Sequence, residues 1–234
     1  MPQFPGLPSP RIARMSRRAA AVLFGSAVAL GLVAFAAVAP PAEASRAVRM
    51  YVIGDSWSAG LHADPRHTLM QVAGASLGWN VAVNANSGTG YLNAPHGRPS
   101  YVSSARALPA GTRADVVVVQ GGSNDHDATA AELDGAVDQT VAALQHTLPR
   151  ARVVLLGPGA DPWPLTPAQL AIDAALGAEA HRLHVTYISM IDEHWLTGKN
   201  VDTIVDPHTH HPTVAGHRAL GHRLTADLRR IRVG

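Results

Sequence analysis

Three short stretches of the chain carry the residue types of nucleophilic acyl transfer. The apolar run 51–53 ends in Gly-Asp-Ser, which places Ser56 just beyond a predicted strand. Asn124 follows the four valines 116–119 through two glycines, and His211 precedes a proline near the C-terminus. A serine hydroxyl needs a general base, and its tetrahedral intermediate needs hydrogen-bond donors. These three side chains therefore form a candidate hydrolytic set.

Together with a fourth stretch they resemble the four sequence blocks of the GDSL/SGNH hydrolase family. In the family's order, the blocks are Gly54-Asp55-Ser56, Ser87-Gly88-Thr89-Gly90, Gly122-Ser123-Asn124-Asp125 and His211-Pro212. The resemblance implies that Ser56 is the nucleophile and His211 the general base. It also implies an oxyanion hole made by the N–H groups of Ser56 and Gly88 and the side-chain amide of Asn124. Gly90 could take the place of Gly88.

The orienting acid is the point at which this chain departs from the family. The family usually has an Asp three residues before the catalytic His, where this chain has His208. The nearest carboxylate is Asp206, five residues before His211, and we predict that it orients the imidazole. A backbone carbonyl or Asp202 is the alternative.

The loop before the last helix contains three histidines, at positions 208, 210 and 211. His210 could be mistaken for the base, although the proline that follows His211 favours His211. With Asp206, the three imidazoles could bind Zn²⁺ or a similar metal. No motif such as HExxH accompanies them, so we predict no metal and no cofactor.

The resemblance implies an enzyme that cleaves carboxylic esters through an acyl-enzyme. Acetyl or acyl esters of sugars or lipids, as small molecules or in the cell envelope, are the expected substrates. One alternative is an acyltransferase on the same fold, which would pass the acyl group to a sugar hydroxyl. The other is a non-catalytic carbohydrate- or metal-binding protein, supported only by the unusual His208.

Apolar runs alternate with helical patterns after residue 45, which is typical of a parallel sheet with crossover helices. Strands are predicted at 47–53, 80–83, 116–120, 153–156 and 185–189. Helices are predicted at 69–77, at 130–148, after Thr166 and from about residue 213, and 84–111 reads as loop. The expected fold is a three-layer α/β/α sandwich with a five-stranded, mainly parallel sheet, the flavodoxin-like arrangement that the resemblance implies. Ligands of such folds bind at the carboxyl ends of the strands.

The first 44 residues read as a signal peptide. Four arginines precede the charge-free apolar run 19–39, and Ala42-Glu43-Ala44 has the small-x-small pattern of a cleavage site. The apolar run is long enough to span a bilayer, so an uncleaved anchor is the alternative. We therefore predict a signal peptide at 1–44, a hydrolase domain at 45–234, and a secreted or envelope-associated protein. If the N-terminal segment is uncleaved, it is the only part predicted to touch the membrane.

The charge distribution argues against nucleic acid as a partner. The chain has 19 Lys and Arg, 17 Asp and Glu and a net charge of +2. Four of those bases and one acid lie in the first 44 residues, so the remainder has a net charge of −1. The chain has no cysteine, which excludes disulfides and thiolate metal sites.

Overall fold

The protein alternates strands and helices along the chain. The structure, a computed structural model, describes residues 46–231, and the predicted signal peptide lies outside them. The strands are β1 (Arg49–Gly54), β2 (Asn80–Ala85), β3 (Val116–Gln120), β4 (Arg152–Leu156), β5 (Thr186–Ile188), β6 (Val205–Asp206) and β7 (His211–Pro212). The α-helices are α1 (Ser56–Ala59), α2 (Leu69–Leu77), α3 (Tyr101–Arg106), α4 (Ala130–Thr147), α5 (Pro167–Arg182), α6 (Val201–Ile204) and α7 (Val214–Arg230). No helix of the described part is both long and apolar enough to cross a bilayer.

Strands β1 to β5 form one sheet in the order β2-β1-β3-β4-β5, and every neighbouring pair is parallel. The predicted five-stranded sheet is therefore confirmed. The chain leaves β1 toward one edge to form β2, then crosses to the other side of β1 to form β3. The carboxyl ends of β1 and β3 thus flank a topological switch point, where open sheets of this order bind ligands.

Hydrophobic residues pack on both faces of the sheet, which gives the predicted three layers. Successive side chains of a strand point to opposite faces. In β3, Val116 and Val118 belong to one buried cluster, whereas Val117 and Val119 belong to the other. Helices α2 and α7 cover the first face, and α3, α4 and α5 cover the second. Burial on both sides explains why β3 is an unbroken apolar run.

Local signals place most helix ends where the sequence predicts them. Thr129 and Thr166 each form a capping box with the residue three positions later. Gly78 ends α2 with a left-handed backbone. The prediction of loop for 84–111 misses α3, which Ser100 caps. The antiparallel pair β6–β7 is also unpredicted, because two-residue strands carry no periodic signal.

We predict that Leu155→Ala lowers the free energy of unfolding by about 2–5 kcal/mol. Leu155 lies in β4 and is fully buried, so the truncation removes apolar contacts and leaves a cavity. Urea denaturation followed by circular dichroism measures the change. Leu170→Ala, on the exposed face of α5, is the matched control and should cost less than about 0.5 kcal/mol. Equal losses in both variants would contradict this account of the core.

Candidate active site

The candidate residues meet at the carboxyl edge of the sheet, where β1 and β3 end. A cleft of about 260 Å³ opens there. Its lining consists of Asp55, Ser56, Trp57, Ser123, Asn124, Gly159, Asp161, Pro162, His210 and His211. Ser56, Asn124 and His211, which lie far apart in the sequence, therefore share one cavity. Gly88 and Asp206 do not line it.

Ser56 is the first residue of α1, a single turn that begins as β1 ends. Asp55 caps this turn, because its Oδ1 accepts the Trp57 N–H at 2.9 Å. The first N–H groups of a helix have no intrahelical acceptor, so the Ser56 N–H is available to a substrate oxygen. Burial raises the pKa of the Asp55 carboxyl to about 7. A buried titratable group therefore lies beside the candidate nucleophile.

Asn124 lies in a 3₁₀ turn directly after β3. Gly121 and Gly122 connect strand and turn with φ values of 139° and 123°, which residues with a Cβ rarely adopt. The Asn124 Nδ2 donates to the Thr89 carbonyl at 2.9 Å, which fixes the amide. An amide nitrogen carries two N–H groups, so the second is free to serve as an oxyanion donor.

Asp125 is a structural residue that the sequence analysis leaves without a role. Its carboxylate accepts the backbone N–H groups of Tyr91, Leu92 and Asn93 at 2.8, 2.9 and 3.0 Å. A Cβ on Gly90 would collide with the Asp125 carboxylate, so only glycine fits there. Asp125 thus holds the loop after β2 against the turn that carries Asn124. In the sequence, only the position of Asp125 next to Asn124 in one family block pointed to this role.

Gly88 and Gly90 differ in whether their N–H groups are free. The Gly90 N–H donates to the Asn93 carbonyl at 3.0 Å. Within residues 46–231, the Gly88 N–H has no such acceptor, and its φ of 78° is left-handed. Of the two N–H groups, that of Gly88 is therefore the one without a backbone acceptor. The Asn93 side chain donates to the Gly88 carbonyl at 2.8 Å, which holds this peptide in place.

His211 is the half-buried first residue of β7. Its Nδ1 lies 2.5 Å from the Thr209 carbonyl oxygen. A carbonyl oxygen only accepts, so Nδ1 carries the proton and Nε2 of the neutral ring has the free lone pair. Burial lowers the pKa of His211, and the nearby His62 adds to the effect. The His62 and His211 ring centroids lie 5.3 Å apart in an edge-to-face arrangement.

Asp206 does not make the contact with the His211 imidazole that the sequence analysis expects. Its Oδ1 accepts the N–H groups of His208 and Thr209 at 2.8 and 3.2 Å. These bonds lower the pKa of Asp206. The carboxylate therefore binds its own turn, and the His211 Nδ1 contacts the Thr209 backbone carbonyl instead. The other alternative, Asp202, is exposed on α6.

The remaining histidines of the loop have separate surroundings. The His210 Nδ1 lies 2.8 Å from Oδ2 of Asp161, a residue after β4. His208 is exposed, and its N–H binds Asp206. Among the described residues, no group of three or more His, Asp or Glu side chains is arranged to hold a metal ion. His210 and His211 therefore both lie at the cleft, but their Nδ1 atoms contact different acceptors.

The family of the chain follows from comparison with known proteins. A model of the GDSL-like lipase/acylhydrolase family matches residues 52–219. The chain belongs to this family. Membership identifies the GDSL protein as a carboxylic ester hydrolase. No curated protein matches its sequence.

Solved structures share the fold of this GDSL hydrolase at low identity. A family 2 carbohydrate esterase with a carbohydrate-binding domain, from Corynascus thermopiles (Myceliophthora fergusii), has 23% identity and a TM-score of 0.63, with 82% of this chain and 68% of that chain covered. A putative lipolytic G-D-S-L protein from Desulfitobacterium hafniense has 14% identity and a TM-score of 0.62, with 76% and 98% covered. TesA has 21% identity and a TM-score of 0.60, with 78% and 98% covered. At these identities, the likeness supports the fold alone.

We predict that Asp206→Asn keeps turnover within about threefold of the wild-type rate. The asparagine carbonyl still accepts the two N–H groups, so the turn and the Thr209 carbonyl stay in place. Asp206→Ala should lower turnover about tenfold, because the turn loses its acceptor. Steady-state hydrolysis of p-nitrophenyl acetate measures both, with Asp202→Asn as the control. A large loss in Asp206→Asn alone would return the orienting role to this carboxylate.

Proposed function

We propose that the protein hydrolyses carboxylic esters through an acyl-enzyme on Ser56, with His211 as the general base. The observation that carries this proposal is the meeting of Ser56, Asn124 and His211 in one cleft at the switch point of the sheet. Each side chain comes from a different family block, and each has an independent structural reason for its position.

The chemistry follows from the free lone pair and the free N–H groups. His211 Nε2 takes the proton of the Ser56 hydroxyl as its oxygen attacks the ester carbonyl. The Thr209 carbonyl keeps the ring in the required tautomer and stabilises the imidazolium. The N–H groups of Ser56 and Gly88 and the Asn124 amide hold the oxyanion. His211 then protonates the leaving alcohol, and a water molecule, deprotonated by the same imidazole, releases the acid.

The cleft favours a short acyl group and a polar, uncharged alcohol. Its volume lies just below the usual range of about 300–1,000 Å³ for ligand pockets. Within the described residues, its lining includes no Leu, Ile, Val or Met side chain that could bind a long chain and no Lys or Arg that could bind a phosphate. Acetyl esters of sugars fit these limits, in keeping with the carbohydrate esterases that share the fold. We therefore place sugar esters before lipid esters.

Export forms part of the same proposal. It rests on the arginines, the apolar run and the Ala-Glu-Ala sequence of residues 1–44. Mass spectrometry of protein expressed in a bacterial host should find a mature N-terminus at Ser45 outside the cytoplasm. An intact N-terminus in the membrane fraction would instead support the anchor.

We predict that Ser56→Ala lowers turnover of p-nitrophenyl acetate by at least about 10⁴-fold, because no acyl-enzyme can form. The far-UV circular dichroism should not change. A fluorophosphonate probe should label the wild type and fail to label this variant. Ser76→Ala, on the exposed face of α2, is the control and should label normally. Labelling of Ser56→Ala would exclude this residue as the nucleophile.

We predict that kcat/KM falls on the acid side with a midpoint below pH 6.5, the ordinary value for histidine. Burial lowers the pKa of His211, so the imidazole remains neutral and able to accept a proton at a lower pH. A pH–rate profile measures the midpoint.

The titration of Asp55 must be distinguished from that of His211 in this profile, because the pKa of Asp55 is raised to about 7. Asp55→Asn keeps a side-chain oxygen for the Trp57 N–H and removes the titration. The midpoint should be the same in Asp55→Asn. A midpoint near pH 7 that disappears in this variant would assign the acid limb to Asp55 and contradict the role given to His211.

A further inference from the structure

The cleft contains a second imidazole that the proposed reaction does not use. His210 lies next to the base in sequence and lines the same cavity as Ser56. Its side chain is 59% exposed, whereas the side chain of its partner Asp161 is only 8% exposed. A buried carboxylate thus holds an imidazole whose outer edge is open to the cleft.

Three contacts hold His210 in an uncommon backbone conformation. Its φ is 59°, in the left-handed region that non-glycine residues seldom occupy. The His210 N–H donates to the Asp206 carbonyl at 2.8 Å, and its own carbonyl accepts the Trp57 indole N–H at 3.2 Å. The third contact is that of Nδ1 with Asp161. Backbone strain that the surroundings maintain is concentrated at functional sites.

The contact with Asp161 also determines what His210 offers to a ligand. An ionised carboxylate only accepts hydrogen bonds, so Nδ1 of His210 is the donor. Nε2 of the neutral ring is then an acceptor, and within the described residues it has no hydrogen-bond partner. The group that it fits best is a hydroxyl that donates.

The direction of the reaction places the alcohol of the ester at this end of the cleft. His211 must protonate the leaving oxygen, so the alcohol lies beside His211. Asn124 lines the same cleft and is the proposed oxyanion donor, so the short acyl group lies beside it. The rest of the alcohol then extends past His211 to His210.

From this arrangement we infer that His210 and Asp161 form a leaving-group subsite, which binds a free hydroxyl close to the ester oxygen of a neutral polyol or sugar. The inference rests on the proposed function, because it needs the alcohol beside His211. The subsite binds the hydroxyl and takes no part in the covalent steps. A site that accepts a hydrogen bond from a substrate hydroxyl disfavours the analogue without it.

Two small esters test the subsite directly. 2-Hydroxyethyl acetate and 2-methoxyethyl acetate share an acyl group and a chain, and only the first can donate a hydrogen bond. At pH 8 the wild type should prefer the hydroxyl ester about tenfold in kcat/KM. His210→Phe should bring the ratio of the two kcat/KM values close to one. His208→Phe, an exposed histidine of the same loop, should keep the wild-type ratio.

Asp161→Asn gives a second test that leaves the imidazole in place. Without the carboxylate, Nδ1 no longer has a fixed proton, so the preference should fall several-fold. His210→Gln, which keeps a polar atom near Nε2, should retain part of the preference that His210→Phe loses. Circular dichroism of each variant checks that it folds.

The outcomes separate this inference from the proposed function. An active wild type whose preference survives in both His210→Phe and Asp161→Asn would overturn the subsite and leave the proposed function intact. Loss of both ester activities in His210→Phe, with activity retained in His211→Phe, would make His210 the base and overturn the subsite. A wild type that hydrolyses neither ester and resists fluorophosphonate would overturn the proposed function, and the subsite with it.

Discussion

The candidate site depends on one buried carboxylate, that of Asp125, which is 3% exposed and accepts three consecutive backbone N–H groups. A loop turned inward would otherwise leave those N–H groups without acceptors, at a cost of about 1–3 kcal/mol each. The neighbouring Asn124 is a donor to the same loop, because its side-chain amide donates to the Thr89 carbonyl. The loop after β2 and the turn after β3 are therefore joined by reciprocal bonds. Both proposed oxyanion donors outside α1, Gly88 and Asn124, belong to this joined unit.

The sheet brings this unit to Ser56, the proposed nucleophile. Since β1 lies between β2 and β3, the segments that follow all three strands emerge side by side at one edge. Gln120, at the end of β3, is buried with its side chain between Ser58 and Asp55. This contact joins the turn that carries Ser56 to the strand that precedes Asn124. The order of the strands and the Gln120 amide thus set the separation of Ser56 and Asn124.

The sequence was sufficient for the five-stranded sheet and the longer helices, because these elements carry local signals. The valine run of β3 predicts a strand buried on both faces, and Thr129, Thr166 and Gly78 mark helix ends. Helix α3 was not predicted, since a six-residue helix among glycines and prolines has too few turns to show a period. Its position depends on tertiary contacts, such as the bond from the Tyr101 hydroxyl to the Gln120 carbonyl.

The site was predictable in its residue types and less so in their partners. Ser56, Asn124 and His211 stand in recognisable blocks, and the structure brings them into one cleft. The hydrogen-bond partner of the His211 Nδ1 could not be predicted, because the choice between Asp206 and a backbone carbonyl depends on the conformation of the turn between them. Asp161 lies 49 residues before His210, and no local pattern connects the two. Hydrogen bonds between residues so far apart in the sequence follow from the topology of the fold and not from sequence spacing.

Trp57 links two segments that lie 153 residues apart, because it follows Ser56 in sequence and donates its indole N–H to the His210 carbonyl. Its ring packs directly over Gly159, where any side chain would collide with it. A displacement of the histidine loop would therefore pull on the turn that carries Ser56. The serine and imidazole ends of the cleft are therefore mechanically coupled through one indole ring.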